Sequence, residues 1–506
     1  MDLVIGLDSS TTATKAIAWD AQGRPVAEGR APVPMANPAP AAFEQAPEDW
    51  WGAAAAALQG LTAAVDPGRI AALAISNQRE TLGFLDAEGR PVRPGILWLD
   101  GRARRDVALL AESFGAERLH RITGRMPDLT PSLYTLHWMR RVEPEAFRAT
   151  AHFVDVHGYL AWRLSGVRAT SAASADPHAV FDMAERRYSA EILGHIGLDE
   201  RRFFAALPPG TAIGAVTPEA AAETGLRPGT IVAAGGGDGQ AAGLGCGVLG
   251  GGRAYLNLGT ATVAGVHSRA YRTDAAFRTE LALDNEGYIL ELCLRTGAFL
   301  TDWLVRRLLG FDPGTDPGCY DRLEAEAEAL PPGADGLLLL PYWSGVMCPH
   351  WDPDARGALV GLAPEHGRGH AYRALVEGIA LDCAMGFAAM EASTGEPVTE
   401  LLAIGGGARS RLWRQVMADA TNKPVVASET VEASALGAGM LAAVAAGWHA
   451  TPAAAARAME GALRERHQPD PARAARYAEL LAIYRSLYPA LRDSFARLAA
   501  FRGDHT

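Results

Sequence analysis

Apolar and polar positions alternate along the first hundred residues in blocks that match strands, tight turns and one helix. Residues 3–7 form a continuous apolar run of strand length, residues 8–13 a turn dense in hydroxyls, and residues 15–19 a second strand. Asp20-Ala21-Gln22-Gly23 supplies hairpin chemistry before a third strand near residues 25–29. The Ala-rich stretch 53–65 predicts a helix, residues 70–76 a buried strand, and Asp86-Ala87-Glu88-Gly89 another hairpin. This is the start of an alternating α/β lobe.

A related pattern recurs later in the chain. Residues 253–258 predict a strand, Gly259-Thr260-Ala261-Thr262 a hydroxyl-bearing turn, and residues 263–267 a strand. Six glycines in the ten residues 243–252 separate the two copies and suggest a hinge, some of them also closing a helix, with the boundary near residue 249. Downstream, residues 371–392 predict a core helix. Residues 401–404 predict a strand running into Gly405-Gly406-Gly407, and a further helix follows over 410–421. A strand, a glycine turn and a helix N-terminus together can receive phosphate oxygens on backbone N–H groups. Two lobes, each with such a turn, suggest a nucleotide held between them.

Composition narrows the classes. A chain of 506 residues, 49% apolar and 21% charged, suits two or three globular domains. A net charge of −11 and a pI near 5.7 argue against nucleic acid as a partner, which would require a basic stripe. The five cysteines, at 246, 293, 319, 348 and 383, form no C-x-x-C pair, which predicts buried thiols in a reducing cytoplasm. No basic region precedes the apolar run at 3–7, so no signal peptide is expected. The weakly polar stretch 433–447 is shorter than the roughly 18 residues that cross a bilayer and reads as a buried helix, so no membrane contact is expected.

Three segments carry candidate chemistry, each beside a plainer alternative. Asp8-Ser9-Ser10-Thr11-Thr12 packs a carboxylate and four hydroxyls into one turn. It can bind terminal phosphates and Mg²⁺, or can simply bond its own backbone. In Gly235-Gly236-Gly237-Asp238-Gly239-Gln240, Asp238 either caps the helix predicted over 240–244 or, with glycines clearing the space before it, accepts a proton from an attacking hydroxyl. Asn77-Gln78-Arg79-Glu80 emerges at a strand end, where it offers either a donor and an acceptor to a polyhydroxylated ligand or a surface ion pair. Residues 349–357 begin like a calcium loop, but Arg356 and Ala363 stand where oxygen ligands belong. His366 and His370 lack a third ligand, and no P-loop motif occurs.

These pieces, in their order, resemble the FGGY carbohydrate kinases, which include glycerol kinase, xylulokinase and gluconokinase. The resemblance rests on Asp8 to Thr12, Asn77 to Glu80 with Trp98-Leu99-Asp100, Gly236-Gly237-Asp238, Leu258-Gly259-Thr260, Tyr372 to Gly378, and Gly405-Gly406-Gly407-Ala408. It implies two ribonuclease-H-like lobes of the hexokinase, Hsp70 and actin fold with a nucleotide cleft between them. The first lobe would span residues 1–249 and the second 250–490, with a tail over 491–506. It also implies Asp238 as catalytic base, and a substrate pocket shaped by Gln78, Arg79, Glu80, Trp98 and Asp238. ATP phosphates would meet Ser10, Thr11, Thr12, Lys15, Gly259, Thr260, Gly405, Gly406, Gly407 and Ser410, and Mg²⁺ would sit near Asp8 and Asp238. The partner implied is a small sugar or polyol, with homodimer formation left open.

Within the family the motifs are mixed. Asn77 to Glu80 and Trp351 to Gly357 resemble glycerol kinase, whereas Gly235 to Asp238 and Ile404 to Ser410 resemble xylulokinase. Gly239 replaces the glutamine that usually follows the base, Val263 a pocket phenylalanine and Thr135 a usual lysine; the substrate-facing tyrosine has no counterpart around Thr130 to Tyr134. Smaller groups at 239 and 263 imply room for more than three carbons, so a ketopentose such as xylulose is expected ahead of a glycerol- or erythritol-like polyol. A nucleotide-driven chaperone or sensor on the same fold is the alternative of another class.

Overall fold

The computed structural model describes residues 2–428, 432–461 and 463–502. The first lobe is built on β1 (Leu3–Ser9), β2 (Ala13–Trp19), β3 (Pro25–Pro32), β4 (Ile70–Asn77), β5 (Ala212–Ala215) and β6 (Ile231–Gly237), in the spatial order β5-β6-β4-β1-β2-β3. The second uses β7 (Arg253–Leu258), β8 (Thr262–Ser268), β9 (Arg278–Leu281), β10 (Tyr288–Leu294), β11 (Glu400–Ile404), β12 (Val425–Ser428) and β13 (Leu463–His467), in the order β9-β10-β8-β7-β11-β12-β13. In each sheet the first strand pairs antiparallel with the second on one side and parallel with a later strand on the other. These are the two ribonuclease-H-like lobes expected from the sequence.

The helices begin where their capping chemistry dictates. α1 (Pro47–Thr62) starts six residues before the apolar stretch that predicted it. Proline lies at its first position and Glu48 and Asp49 in its first turn, an arrangement that suits the unpaired N–H groups there. It buries Trp50, Ala54, Ala57, Leu58 and Leu61 against the first sheet. α2 (Asp238–Gly245) follows β6, while α3 (Arg368–Thr394), α4 (Arg411–Thr421), α5 (Ala433–Ala445) and α6 (Pro471–Arg502) belong in sequence to the second lobe.

The lobes interlock through α2 and α5. Gly243 of α2 lies against Tyr255 of β7, in the second lobe, while α5 runs so close to β1 that a Cβ on Gly6 would stand 1.7 Å from the Ala435 carbonyl oxygen. The two helices also touch backbone to backbone, since a Cβ on Gly437 would lie 2.0 Å from the Ala241 oxygen. Gly245 serves the same close helix packing, since a Cβ there would lie 2.1 Å from the Ala433 oxygen of α5.

α6 is fixed to α3 by Tyr477 and Tyr484, whose hydroxyls donate to Glu377 and Asp382 at 2.8 and 3.0 Å. It continues past residue 490, with Phe495 and Ala499 buried. Residues 491–502, expected as a tail, are thus turns of a packed helix; residues 503–506 lie outside the described residues. All five cysteines are buried and unpaired, and no described helix is long and apolar enough to cross a membrane.

Candidate active site

Register brings the first-lobe residues together. Asp8 pairs with Ser76 and Ser9 with Asn77, while Gly236 and Gly237 pair with the same Ser76 and Asn77, so β1, β4 and β6 end at one level. Asp8 near the end of β1, Arg79 two residues past β4 and Asp238 directly after β6 consequently share one corner at the carboxyl ends of parallel strands. Asp238 keeps 43% of its side chain exposed. Its Oδ1 accepts the Gly239 backbone N–H at 2.8 Å and forms an ion pair with the Arg79 guanidinium, whose Nε lies 2.9 Å away. Gly237, not Asp238, occupies the cap position of α2, so helix capping does not account for this aspartate. Burial pushes its carboxyl above the ordinary aspartate value, with Arg79 opposing.

The glycines around Asp238 do not clear space before its carboxylate. A Cβ on Gly235 would stand 1.8 Å from the Ile75 oxygen, one on Gly236 2.6 Å from Leu283, one on Gly237 2.6 Å from Arg79, and one on Gly239 2.6 Å from Glu291 Oε2. Their missing side chains admit neighbours. The extra pocket volume expected at Gly239 is therefore filled by Glu291 and Arg79. Val263, partly buried, packs against the apolar cluster that includes Tyr255 and Ile289.

Arg79 and Glu80 are buried, not a surface pair. The Arg79 Nη1 donates to Glu280 and to both oxygens of Glu291 at 3.1 Å, and Glu80 takes Arg125 and Arg278 at 3.3 and 3.2 Å. The Gln78 amide is spent on Gln45 and Thr81. Trp98 donates its indole N–H to Thr11 Oγ1 at 3.0 Å, tying the first turn to the Trp98 segment.

Asp8 lies in β1, one residue ahead of the turn, and accepts the Ser76 hydroxyl at 2.8 Å. Burial, with Asp238 and Glu432 nearby, pushes its carboxyl up to about 7, Ser76 and Lys15 acting the other way. A carboxylate so short of positive charge fits a divalent cation, and Mg²⁺ held largely by phosphates and water needs only one or two such ligands. Among the described residues no larger cluster of His, Cys, Asp and Glu suits a metal. The Ser10 hydroxyl bonds the Ala13 carbonyl, while Thr12 is exposed and makes no side-chain hydrogen bond among the described residues. The Lys15 ammonium is engaged by Glu432 at 2.6 Å.

In the second lobe β7 and β11 are parallel, with Asn257 opposite Ile404, which sets the Gly259-Thr260 turn beside Gly405 to Gly407. Gly405 has a left-handed φ of 82° and lies against Asn257 and the Gly259 backbone, whereas beside Gly406 there is open space. Ser410 caps α4, its Oγ accepting the Trp413 N–H at 3.1 Å, and Thr260 is exposed.

The N-terminal domain of the FGGY family of carbohydrate kinases matches residues 3–245, and the C-terminal domain of the same family matches residues 254–446. This chain belongs to that family. The FGGY kinase is 30% identical to a xylulose kinase of Bacillus subtilis over 99% of this chain and all of the other. It is 32% identical to a xylulose kinase of Escherichia coli over 97% of this chain and 99% of the other. A solved xylulose kinase from Rhodospirillum rubrum superposes with a TM-score of 0.89 at 30% identity, covering 98% of this chain and all of that one. The protein is a sugar kinase, a phosphotransferase acting on an alcohol group.

Glu280, Glu291, Arg125 and Arg278 of this FGGY kinase escaped the sequence reading, because nothing local ties them to Asp238. One signal was present: Glu291 interrupts the otherwise apolar strand Tyr288–Leu294, where a buried charge demands a partner.

Proposed function

We propose that this kinase transfers the γ-phosphate of ATP to a terminal hydroxyl of a ketopentose, xylulose foremost, with Asp238 as the base. The observation that carries this reading is a half-exposed Asp238 at the strand ends, steadied on one oxygen by Arg79. An aspartate with a reference pKa of about 3.9 cannot ionise an alcohol outright. Asp238 instead orients the hydroxyl and takes its proton late, as the new oxygen–phosphorus bond forms and the bond to ADP breaks. Thr12 and Thr260, exposed in the two turns, would meet the phosphates, and the open space beside Gly406 supports a nucleotide there. Bound Mg²⁺ near Asp8 and Asp238 would neutralise phosphate charge. A cytoplasmic location belongs to the same reading.

Xylulose is favoured by the names of the relatives and by the xylulokinase-like segments at 235–238 and 404–410. A glycerol- or erythritol-like polyol is the second reading, favoured by the glycerol-kinase-like Asn77 to Glu80. A coupled ADP-release assay over pentuloses, hexuloses, aldonates and polyols decides between them. Xylulose should give the highest kcat/KM, and faster turnover of glycerol than of every pentulose would overturn the proposal.

A further inference from the structure

The two glycines flanking Asp238 are occupied by a pair of residues drawn from different lobes. A Cβ at 237 would strike Gln240 Oε1 and the Arg79 side chain, and one at 239 would strike Glu291 Oε2 and approach the Arg79 guanidinium carbon to 3.1 Å. Arg79 leaves the first sheet; Glu291 lies in β10 of the second. The guanidinium has one edge on Asp238 and the other on Glu291 and Glu280, so its orientation over the base is dictated from across the cleft. Glu291 is itself fixed. The Tyr255 hydroxyl donates to its Oε2, and Arg278 donates to its Oε1 through Nε at 2.6 Å.

The geometry points to Glu291 as a positioning residue for phosphoryl transfer. It holds Arg79 against Asp238, and the glycines on either side of the base are the sockets through which it does so. This rests on the reading of Asp238 as base. It goes beyond that reading by making the base's geometry a joint product of the two lobes: Asp238 is set correctly only while β10 is seated against the first lobe. Misplacing a reacting group by about 1 Å costs on the order of 10²-fold in rate, the scale a lost positioning contact should show.

The test is a double-mutant cycle, Arg79→Gln and Glu291→Gln, read as kcat and KM for sugar and for ATP. Glu291→Gln keeps the side chain's shape and removes its charge. Sugar kcat/KM should fall about 10- to 100-fold with KM for ATP unchanged. In the Arg79→Gln background the same change should cost under about threefold, because its target has gone. An undiminished loss there, or wild-type sugar kcat/KM in Glu291→Gln, would overturn the inference.

Should Glu291→Gln not fold, Tyr255→Phe loosens the same carboxylate at constant bulk and should give a smaller loss of the same kind; wild-type kinetics in that variant would count against the role. A crystal structure of whichever variant folds separates this inference from the kinase reading. Arg79 Nε displaced from Asp238 supports the positioning role whatever the substrate proves to be, and an unmoved Arg79 refutes it even if Asp238 is the base.

Discussion

The two lobes share one framework and fill the same corner with opposite chemistry. In each, a strand ends in a hydroxyl-bearing turn beside the end of a parallel neighbour. In the first lobe that corner holds the ionisable Asp8, Arg79 and Asp238, with Arg79 buried and Asp238 half-exposed; in the second it holds Gly259, Thr260 and Gly405 to Gly407, none of them ionisable. Under the proposed function this difference divides the labour. A phosphate chain is bound well by backbone N–H groups and hydroxyls, which need close approach and therefore glycine. A hydroxyl acceptor needs an oriented carboxylate, which has to be held by a counter-charge.

The sharpest way to break this division is Asp238→Asn, which leaves shape and removes the charge. Turnover should fall roughly 10²- to 10⁴-fold with the fold intact, and near-wild-type turnover in a folded variant would return Asp238 to a structural role. Arg79→Gln should come next. It removes the positive charge that opposes the rise in the Asp238 carboxyl, so that carboxyl binds its proton at higher pH. Activity that needs the ionised form is lost earlier on acidification, and the acid limb of kcat/KM should move upward; an unmoved or lowered limb contradicts the pairing.

On the other side of the comparison, Gly406→Ala adds one methyl into open space. The empty protein should melt as before while KM for ATP rises about tenfold, a loss of roughly 1.4 kcal/mol of nucleotide binding. An unchanged KM would mean that the space beside Gly406 is not where the nucleotide lies.

The smallest effect concerns stability. His157 sits behind β6, the strand that leads to Asp238, its Nε2 accepting the Gly235 N–H at 2.9 Å, and burial pushes its imidazole down to about 3. The unfolded chain protonates this histidine near pH 6.5, the folded chain only near 3. Its contribution to stability is therefore complete above about pH 6.5 and is lost as pH falls from there toward 3. Wild type should melt lower at pH 5 than at pH 7.5, and His157→Gln should narrow that gap; an equal gap in the variant would rule this histidine out.

The elements of both lobes were legible because strand, turn and helix signals are local. The apolar run at 3–7, the hairpin residues at 20–23 and the Ala-rich stretch at 433–447 each fell where an element lies. The helix start at Pro47 was missed because the apolar pattern begins only after the capping residues. Gly239 was misread for a different reason: a glycine shows that a side chain is missing without showing what takes its place.

What the sequence determined by itself is the kit of parts, in order: a hydroxyl turn, a Gly-Asp-Gly motif, a second hydroxyl turn, a glycine-rich loop and the strands that carry them. Local chemistry specifies such pieces, because each turn or cap is formed by residues adjacent in the chain. The tertiary structure alone decided what stands against them. Arg79 is 201 and 212 residues from Glu280 and Glu291, and the space beside Gly239 is filled from the other lobe. Contacts at that separation depend on strand order, register and the interlocking of α2 with α5. No window of sequence contains them.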